Sequence, residues 1–444
     1  MTAASGRGPS ALLPLTHLLT AAAAFVLAAL ALPWLATELA GHYYHPRLLA
    51  LTHTVTLGWI TLTIMGASYQ IIPIVLGRVL WSERLAWWQY GIFVAGVVGI
   101  TAHFFIAQWP GLLWSAGLLM IGTAIHVLNT AMSARGLRTW TFPARLVAFA
   151  LAGFALTALF GALLGAEHVR AWLPGAFFAR LHAHVHLALL GWVLPMVIGV
   201  AARIYPMFLL APEPQGRVNA VQLWGLGAGV PMTVIGLLLE SSLVAVGGLA
   251  VAAAVTAHVT WVVRAVRSRK SPTLDWGLRL ALAGTTFAVP ATTLGVALAL
   301  DIVRGPRWAM AYAVLAFGGW ASLTIAGTML KIVPFLIWYR AYGPLVGRAP
   351  VPSMAQLSWP AAEGAAFASL VTGMIALTLA VGVGDATGIR AAATLVAAGA
   401  VFFGAALARI VYHAVGSVER RAARGPQSTT LGSAVGRSSV LRRG

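Results

Sequence analysis

Apolar residues run through this chain in twelve long stretches, near 11–33, 48–77, 86–108, 111–133, 144–166, 180–210, 219–239, 242–266, 278–301, 308–338, 357–381 and 390–415. Short segments in which Arg, Pro, Gly and Ser collect lie between them. At ~1.5 Å per residue each stretch is long enough, as an α-helix, to cross a ~30 Å hydrocarbon layer. The pattern predicts an all-α, polytopic membrane protein with twelve transmembrane helices.

The stretches are not independent. In the second, His53, Gly58, Trp59, Gly66 and Pro73 map onto His186, Gly191, Trp192, Gly199 and Pro206 of the sixth, each 133 residues further on. The tenth repeats the series as Gly319, Trp320, Gly327 and Pro334, each 128 residues beyond, with Val314 where the histidine stood. A weaker echo links His126 of the fourth helix to His258 of the eighth. Each interval holds four helices, so the chain reads as three tandem four-helix units, about 11–133, 144–266 and 278–415, in three arcs related by a pseudo-threefold axis. Residues 1–415 are one membrane domain. The basic remainder, 416–444, reads as a disordered tail attracted to anionic lipid. Small residues let helices approach closely in lipid, which assigns the six repeated glycines to packing. Arg203 and Lys331, equivalent by repeat, read as snorkelling side chains.

Composition agrees: the 444 residues are 60% hydrophobic and 9% charged, with a mean hydropathy of +0.86. Orientation follows from Lys and Arg. With both termini on one side, the opposite loops hold only Arg47, Arg170, Arg180, Arg304, Arg307 and Arg390, six of 29 basic residues. Both termini are therefore expected in the cytoplasm of a bacterial-type inner membrane. The net charge of +19 is spread over loops and tail and reads as a topology signal, so the expected partner is the lipid bilayer and no nucleic acid. Zero cysteines exclude disulfides, thiolate-bound heme and iron–sulfur ligation by this chain.

Histidine supplies the candidate chemistry. Eight of the twelve fall toward the face opposite the termini: His42, His45, His53, His103, His168, His182, His184 and His186. His182 and His186 share a helix face and His184 points away, so one helix cannot turn all three to one metal. By helical rise, His53, His103 and His186 lie at one depth on three helices, roughly 8–9 Å below that face. Imidazoles in such numbers suit copper, zinc or a heme held by one or two axial ligands. A hydrogen bond to a neighbour is the competing use of His103. His126 and His258 lie deeper and read as structural links, His17 and His413 as interfacial, and His42, His45 and His168 as loop residues beside Tyr43 and Tyr44. Only Glu363 among the acidic residues lies inside a run, which leaves little for a carboxylate proton relay.

Twelve helices in three arcs, with a histidine near the outer end of the second, resemble subunit I of the heme–copper oxidases. The stretch from Met65 to Pro73 resembles that family's glycine-rich second-helix segment, and Leu51-Thr52-His53-Thr54 is similar to the heme-ligand segment of the cbb-type oxidases and nitric-oxide reductases. The resemblance implies heme and copper cofactors near the outer face, with His53 as a heme ligand. It also exposes departures. The family's tenth helix carries two heme histidines and its seventh a copper-binding pair, whereas no histidine stands between Arg307 and Arg340 or between Asn219 and Leu239 here. The chain looks like a divergent relative in the manner of the NnrS proteins, without a complete oxygen-reducing centre.

The sequence thus points to a heme- or copper-binding protein of respiratory electron transfer or of nitric oxide or metal handling. His53, His186 and His103 are the candidate cofactor ligands, and His182, His184 and His186 the candidate metal ligands. A cytochrome or another respiratory subunit would be the partner. A transporter with a histidine entry site and a cofactor-free structural or assembly subunit are the alternatives.

Overall fold

The computed structural model describes residues 10 to 423 and is built of helices, with no strand among them. Twelve are long and apolar enough to cross a membrane. The first unit comprises α1 (Leu12–Leu39), α2 (Pro46–Ile71), α3 (Glu83–Phe105) and α4 (Trp109–Ser133). The second comprises α5 (Phe142–Glu167), α6 (Phe177–Leu209), α7 (Arg217–Leu238) and α8 (Leu243–Arg267). The third comprises α9 (Trp276–Ala299), α10 (Pro306–Ala341), α11 (Pro360–Val383) and α12 (Ala386–His413). An even number of spans puts the start of α1 and the end of α12 on one face, called here the terminal face. The last helix continues to Ala423, so the first residues of the expected tail are helical and its remainder lies outside the described residues.

Local chemistry sets where spans begin. Ser82 accepts from the backbone N–H of Leu85, Thr141 from that of Ala144 and Asp275 from that of Leu278, each satisfying an otherwise unpaired donor at the start of α3, α5 or α9. On the terminal face α2 runs out at Gly77, whose φ of 62° favours glycine. Arg203 and Lys331 do more than snorkel: Arg203 pairs with Glu213 at 2.5 Å, and Lys331 pairs with Asp275.

Packing repeats by unit. Each first helix packs on its second, each second on its third and each third on its fourth, while α4 meets α5, α8 meets α9 and α12 returns to α1. Within this closed ring, α2, α6 and α10 are the inner helices, with 61%, 61% and 78% of their apolar windows buried against 28–50% for the other nine. A cavity of about 60 Å³ lies between these three. Apart from Leu18 and Tyr205 its walls come in threes that obey the sequence offsets, such as Thr63, Met196 and Thr324, or Ile71, Ile204 and Ile332. Equivalent residues of the three units face one axis.

The six repeated glycines explain how the inner helices are held. A Cβ on Gly58 or Gly66 would press on Ala24 or His17 of α1, one on Gly199 on Leu146 of α5, and one on Gly319 or Gly327 on Phe287 or Ala281 of α9, while Gly191 receives the approach of α5, where a Cβ on Gly153 would stand 2.1 Å from its carbonyl oxygen. All six face the first helix of their own unit, where a missing side chain lets two backbones approach.

Candidate functional site

The inner helices share a departure from α geometry. Ordinary helix runs through Pro46–His53, Phe177–His186 and Pro306–Ala313, and wider π-helical turns follow at Thr54–Thr61, Leu187–Val193 and Val314–Ser322. π turns are uncommon and concentrate at functional sites. Each of these holds one repeated Gly-Trp pair: the glycine meets the neighbouring helix, and Trp59, Trp192 or Trp320 fills the interior at 0, 1 or 5% exposure. Two of the three turns are preceded by a histidine.

Those two histidines are set in the same way. His53 Nδ1–H donates to the Leu49 carbonyl at 2.7 Å, and His186 Nδ1–H donates to the His182 carbonyl at 2.8 Å. A carbonyl only accepts, so the proton stands on Nδ1 and the neutral ring carries its free lone pair on Nε2. No described residue hydrogen-bonds either Nε2. Fixing one ring nitrogen on a backbone carbonyl orients the other for a metal or an axial site. His53 lies against Phe104 with ring centroids 4.7 Å apart. His186 lies nearly parallel to Tyr312, centroids 5.8 Å apart.

The remaining candidates go elsewhere. His182 Nε2 meets the Tyr43 hydroxyl at 2.9 Å. His184 turns toward α5, its ring against Gly161 and Phe160 and beside the backbone carbonyl of Thr157. His182, His184 and His186 thus face three different surroundings. His103 bonds Ser115 Oγ at 2.9 Å and fills the space a side chain on Gly111 would take, so it serves the α3–α4 contact, and its neighbour Phe104 is the residue that reaches His53. Among the described residues no group of three His, Cys, Asp or Glu side chains is placed to hold one metal ion.

His186 opens on a slot of about 70 Å³ between α6 and the faces of α7, α8, α9 and α10. Its walls are mostly apolar, with Leu189, Val251, Ala291 and Trp320 among them, and Thr233, Thr292 and Tyr312 supply its polar groups besides His186. About 10–15 Å³ of such space already holds one water, so the slot has room for a diatomic molecule or several waters. The donor set suits single axial ligation by imidazole. A porphyrin at His186 would require the slot to widen.

Sequence reasoning missed the surroundings of His53. Phe104 stands 6.1 Å from Trp109, which stacks on His168 at 4.8 Å. His168 Nδ1–H donates to the Leu164 carbonyl at 2.9 Å, leaving Nε2 to accept from the Tyr44 hydroxyl at 2.5 Å. Burial raises the pKa of Tyr43; burial and then the carboxylate of Glu167 push that of Tyr44 up to about 12. Glu167 itself pairs with Arg180, whose guanidinium also donates to the carbonyls of Pro174 and Gly175 at 2.5 Å and so ties the α5–α6 loop to α6. The adjacency of His42, Tyr43, Tyr44 and His45 was the available signal, but their partners lie more than 120 residues away.

A second polar group lies in the terminal half of unit one. His17, expected at the interface, is fully buried: Nδ1–H donates to the Leu13 carbonyl at 2.8 Å, and Nε2 meets the Gln89 amide at 3.2 Å. Tyr69 bonds the same amide at 2.8 Å and meets His126 Nδ1 at 3.1 Å. His126 is the structural link its sequence position suggested, whereas buried His258 has Nδ1 unpartnered and packs beside Trp261. Glu363 caps its own helix by accepting from the backbone N–H of Trp359 at 3.1 Å. No family model and no curated protein matches this chain.

Proposed function

We propose that this chain is a distant relative of subunit I of the heme–copper oxidases, and that it binds heme through single axial histidines, His53 and His186, toward the face opposite the termini. The observation that carries the reading is the shared setting of these two residues. They occupy one repeat position, stand at the mouth of a π turn, give Nδ1–H to a carbonyl four residues back and keep Nε2 unbonded. Two buried-side histidines prepared alike in an apolar helix are costly unless Nε2 has a use. Copper is the less suited occupant, because no multi-histidine group is assembled among the described residues.

The protein would supply the ligand nitrogen, its orientation and an apolar wall that excludes water. A bound heme would supply one-electron chemistry and an open position for nitric oxide or another diatomic. The role is respiratory electron transfer or nitric oxide handling. Four-electron oxygen reduction as the oxidases perform it is not expected, because α7 and α10 carry no histidine.

An absorption spectrum of the purified membrane protein with a pyridine hemochrome assay and metal analysis tests the reading. A Soret band that His53→Ala or His186→Ala removes or shifts supports it. Copper or zinc without heme moves the assignment to metal handling, and neither heme nor metal overturns it.

A further inference from the structure

The polar group in the terminal half of unit one lies apart from His53 and His186, and the fold does not require it. By the repeat, Gln89 and His126 return as Gln222 and His258, but Tyr69 becomes Ala202. Leu146 stands against Gly199 where His17 stands against Gly66. Unit two packs without the bridge: Gln222 Oε1 and His258 Nδ1 are buried with no partner among the described residues. In unit one, His17 of α1, Gln89 of α3, Tyr69 of α2 and His126 of α4 are joined into one hydrogen-bonded series, and all four are 0% exposed.

The heavy-atom positions of this series admit two arrangements of hydrogen, which differ by one proton. An amide turned by 180° puts nitrogen where oxygen stood, so either atom of Gln89 can face His17 and Tyr69. In both arrangements His17 Nδ1–H donates to the Leu13 carbonyl. In the first, Gln89 turns its oxygen inward. An amide oxygen only accepts, so His17 Nε2 must carry a second proton to meet it, and Tyr69 O–H donates to the same atom. The Tyr69 oxygen then accepts from His126 Nδ1–H, His126 Nε2 is bare, and the outward Gln89 N–H group meets Met65 Sδ at 3.2 Å. In the second, Gln89 turns its nitrogen inward and donates to a bare His17 Nε2 and to the Tyr69 oxygen. Tyr69 O–H then donates to His126 Nδ1, which puts the His126 proton on Nε2. No ring has to move between the two, so packing does not choose between them; the proton does.

We propose that His17, Gln89, Tyr69 and His126 form a binding site for one proton, taken up from the terminal face. On uptake the proton joins His17 Nε2, the Gln89 amide reverses, Tyr69 O–H swings from His126 to Gln89, and His126 exchanges its proton on Nε2 for one on Nδ1. The net gain is one proton and one positive charge, held between the Leu13 carbonyl and the Gln89 oxygen in a low-dielectric surround that strengthens both bonds. His17 lies five residues into α1, roughly 8 Å from its start. The other titratable groups around it are engaged: Tyr90, with its ring 4.8 Å away, bonds Thr20, and Glu83 at the rim accepts from the Ser10 backbone N–H. On α10 and α12, Lys331 pairs with Asp275 and Arg409 lies over Trp359. At the far end His126, 6.3 Å from Phe154 of α5, turns Nε2 from a donor into an acceptor, so a proton bound at α1 is registered at the border with unit two.

Solid-state NMR of the full chain in lipid bilayers, with ring-15N histidine, reads the proton on each nitrogen. Spectra of His17→Asn and His126→Asn assign the two signals. Between about pH 8 and pH 4, a range that brackets ordinary imidazole titration, His17 should pass from Nδ1–H alone to protons on both nitrogens. His126 should pass from Nε2–H to Nδ1–H with the same midpoint. Tyr69→Phe, which keeps the ring and removes the bridge, should hold His126 in one tautomer across the range, and Gln89→Leu should do the same; thermal unfolding in detergent selects the variants that fold. A His17 that stays neutral throughout, a His126 tautomer that does not follow it, or a His126 exchange that survives Tyr69→Phe overturns the site. The measurement needs no cofactor, so its outcome is independent of the heme reading.

Discussion

A histidine in a membrane helix has two ring nitrogens to satisfy, and the twelve here divide by how they do it. His17 gives Nδ1–H to the Leu13 carbonyl and turns Nε2 to Gln89, His126 bonds Tyr69 through Nδ1 with Nε2 buried and unpartnered, His103 bonds the Ser115 hydroxyl through Nδ1, and His53 and His186 each give Nδ1–H to a carbonyl four residues back in their own helix. This division yields a paired prediction. His53→Ala should remove or shift the cofactor signal and leave the protein folded, while His126→Ala should leave the signal and lower stability by about 1–2 kcal/mol, the scale of a buried membrane hydrogen bond. Spectra and thermal unfolding in detergent on the same samples check both; loss of cofactor in His126→Ala would contradict the division. The ligand candidates were legible in the sequence because the repeat singles out His53 and His186. The Tyr44–His168 bond was not, since it joins residues 124 apart. The burial of His17 was hidden for a similar reason: it depends on Gly66 of another helix, where a Cβ would stand 2.4 Å from that of His17.

At the scale of elements, the twelve helices and their repeat could be read directly, because hydrophobic length and a recurring Gly-Trp series are local signals. The π turns could not, since an extra residue per turn leaves the apolar run intact. Their consequence is testable. Deleting Val55 would return the turn after His53 to α geometry and rotate His53 by roughly 100° against Trp59. The protein should still insert and fold but lose the cofactor signal attributed to His53, as membrane yield and absorption would show. Glycine provides the complementary test. A Cβ at Gly327 would stand 2.2 Å from the Ala281 backbone nitrogen, so Gly327→Leu should destabilise by about 3 kcal/mol. Gly117 has no atom within 4 Å of that position, and Gly117→Ala should change stability by less than about 1 kcal/mol. Equal losses in unfolding assays would refute the packing role.

For the whole molecule, the ring of twelve helices fixes which groups share a side. The start of α1, the α2–α3 loop with Arg78, the start of α3 with Arg84, the end of α8 with Arg267, the α8–α9 loop with Arg269 and Lys270, and the end of α12 with Arg409 lie on the terminal face. The opposite face holds Arg47, Arg170, Arg180, Arg304, Arg307 and Arg390, of which Arg47, Arg180 and Arg304 are paired with Glu38, Glu167 and Asp301. Positive charge is retained on the cytoplasmic side during insertion, so the terminal face should be cytoplasmic and Tyr44, His168 and the approaches to His53 and His186 should face outward. This decides which partners are possible, because whatever reaches His53 and His186 must then come from the outer compartment. Since the natural chain has no cysteine, the sidedness can be measured residue by residue. Exposed positions on the two faces, Arg170 and Arg269, are suitable. In intact cells a membrane-impermeant maleimide should label Arg170→Cys and should reach Arg269→Cys only after the membrane is opened. The opposite labelling would invert the molecule, put Tyr44, His168 and the approaches to His53 and His186 on the cytoplasmic side and require any partner at that face to be a cytoplasmic one.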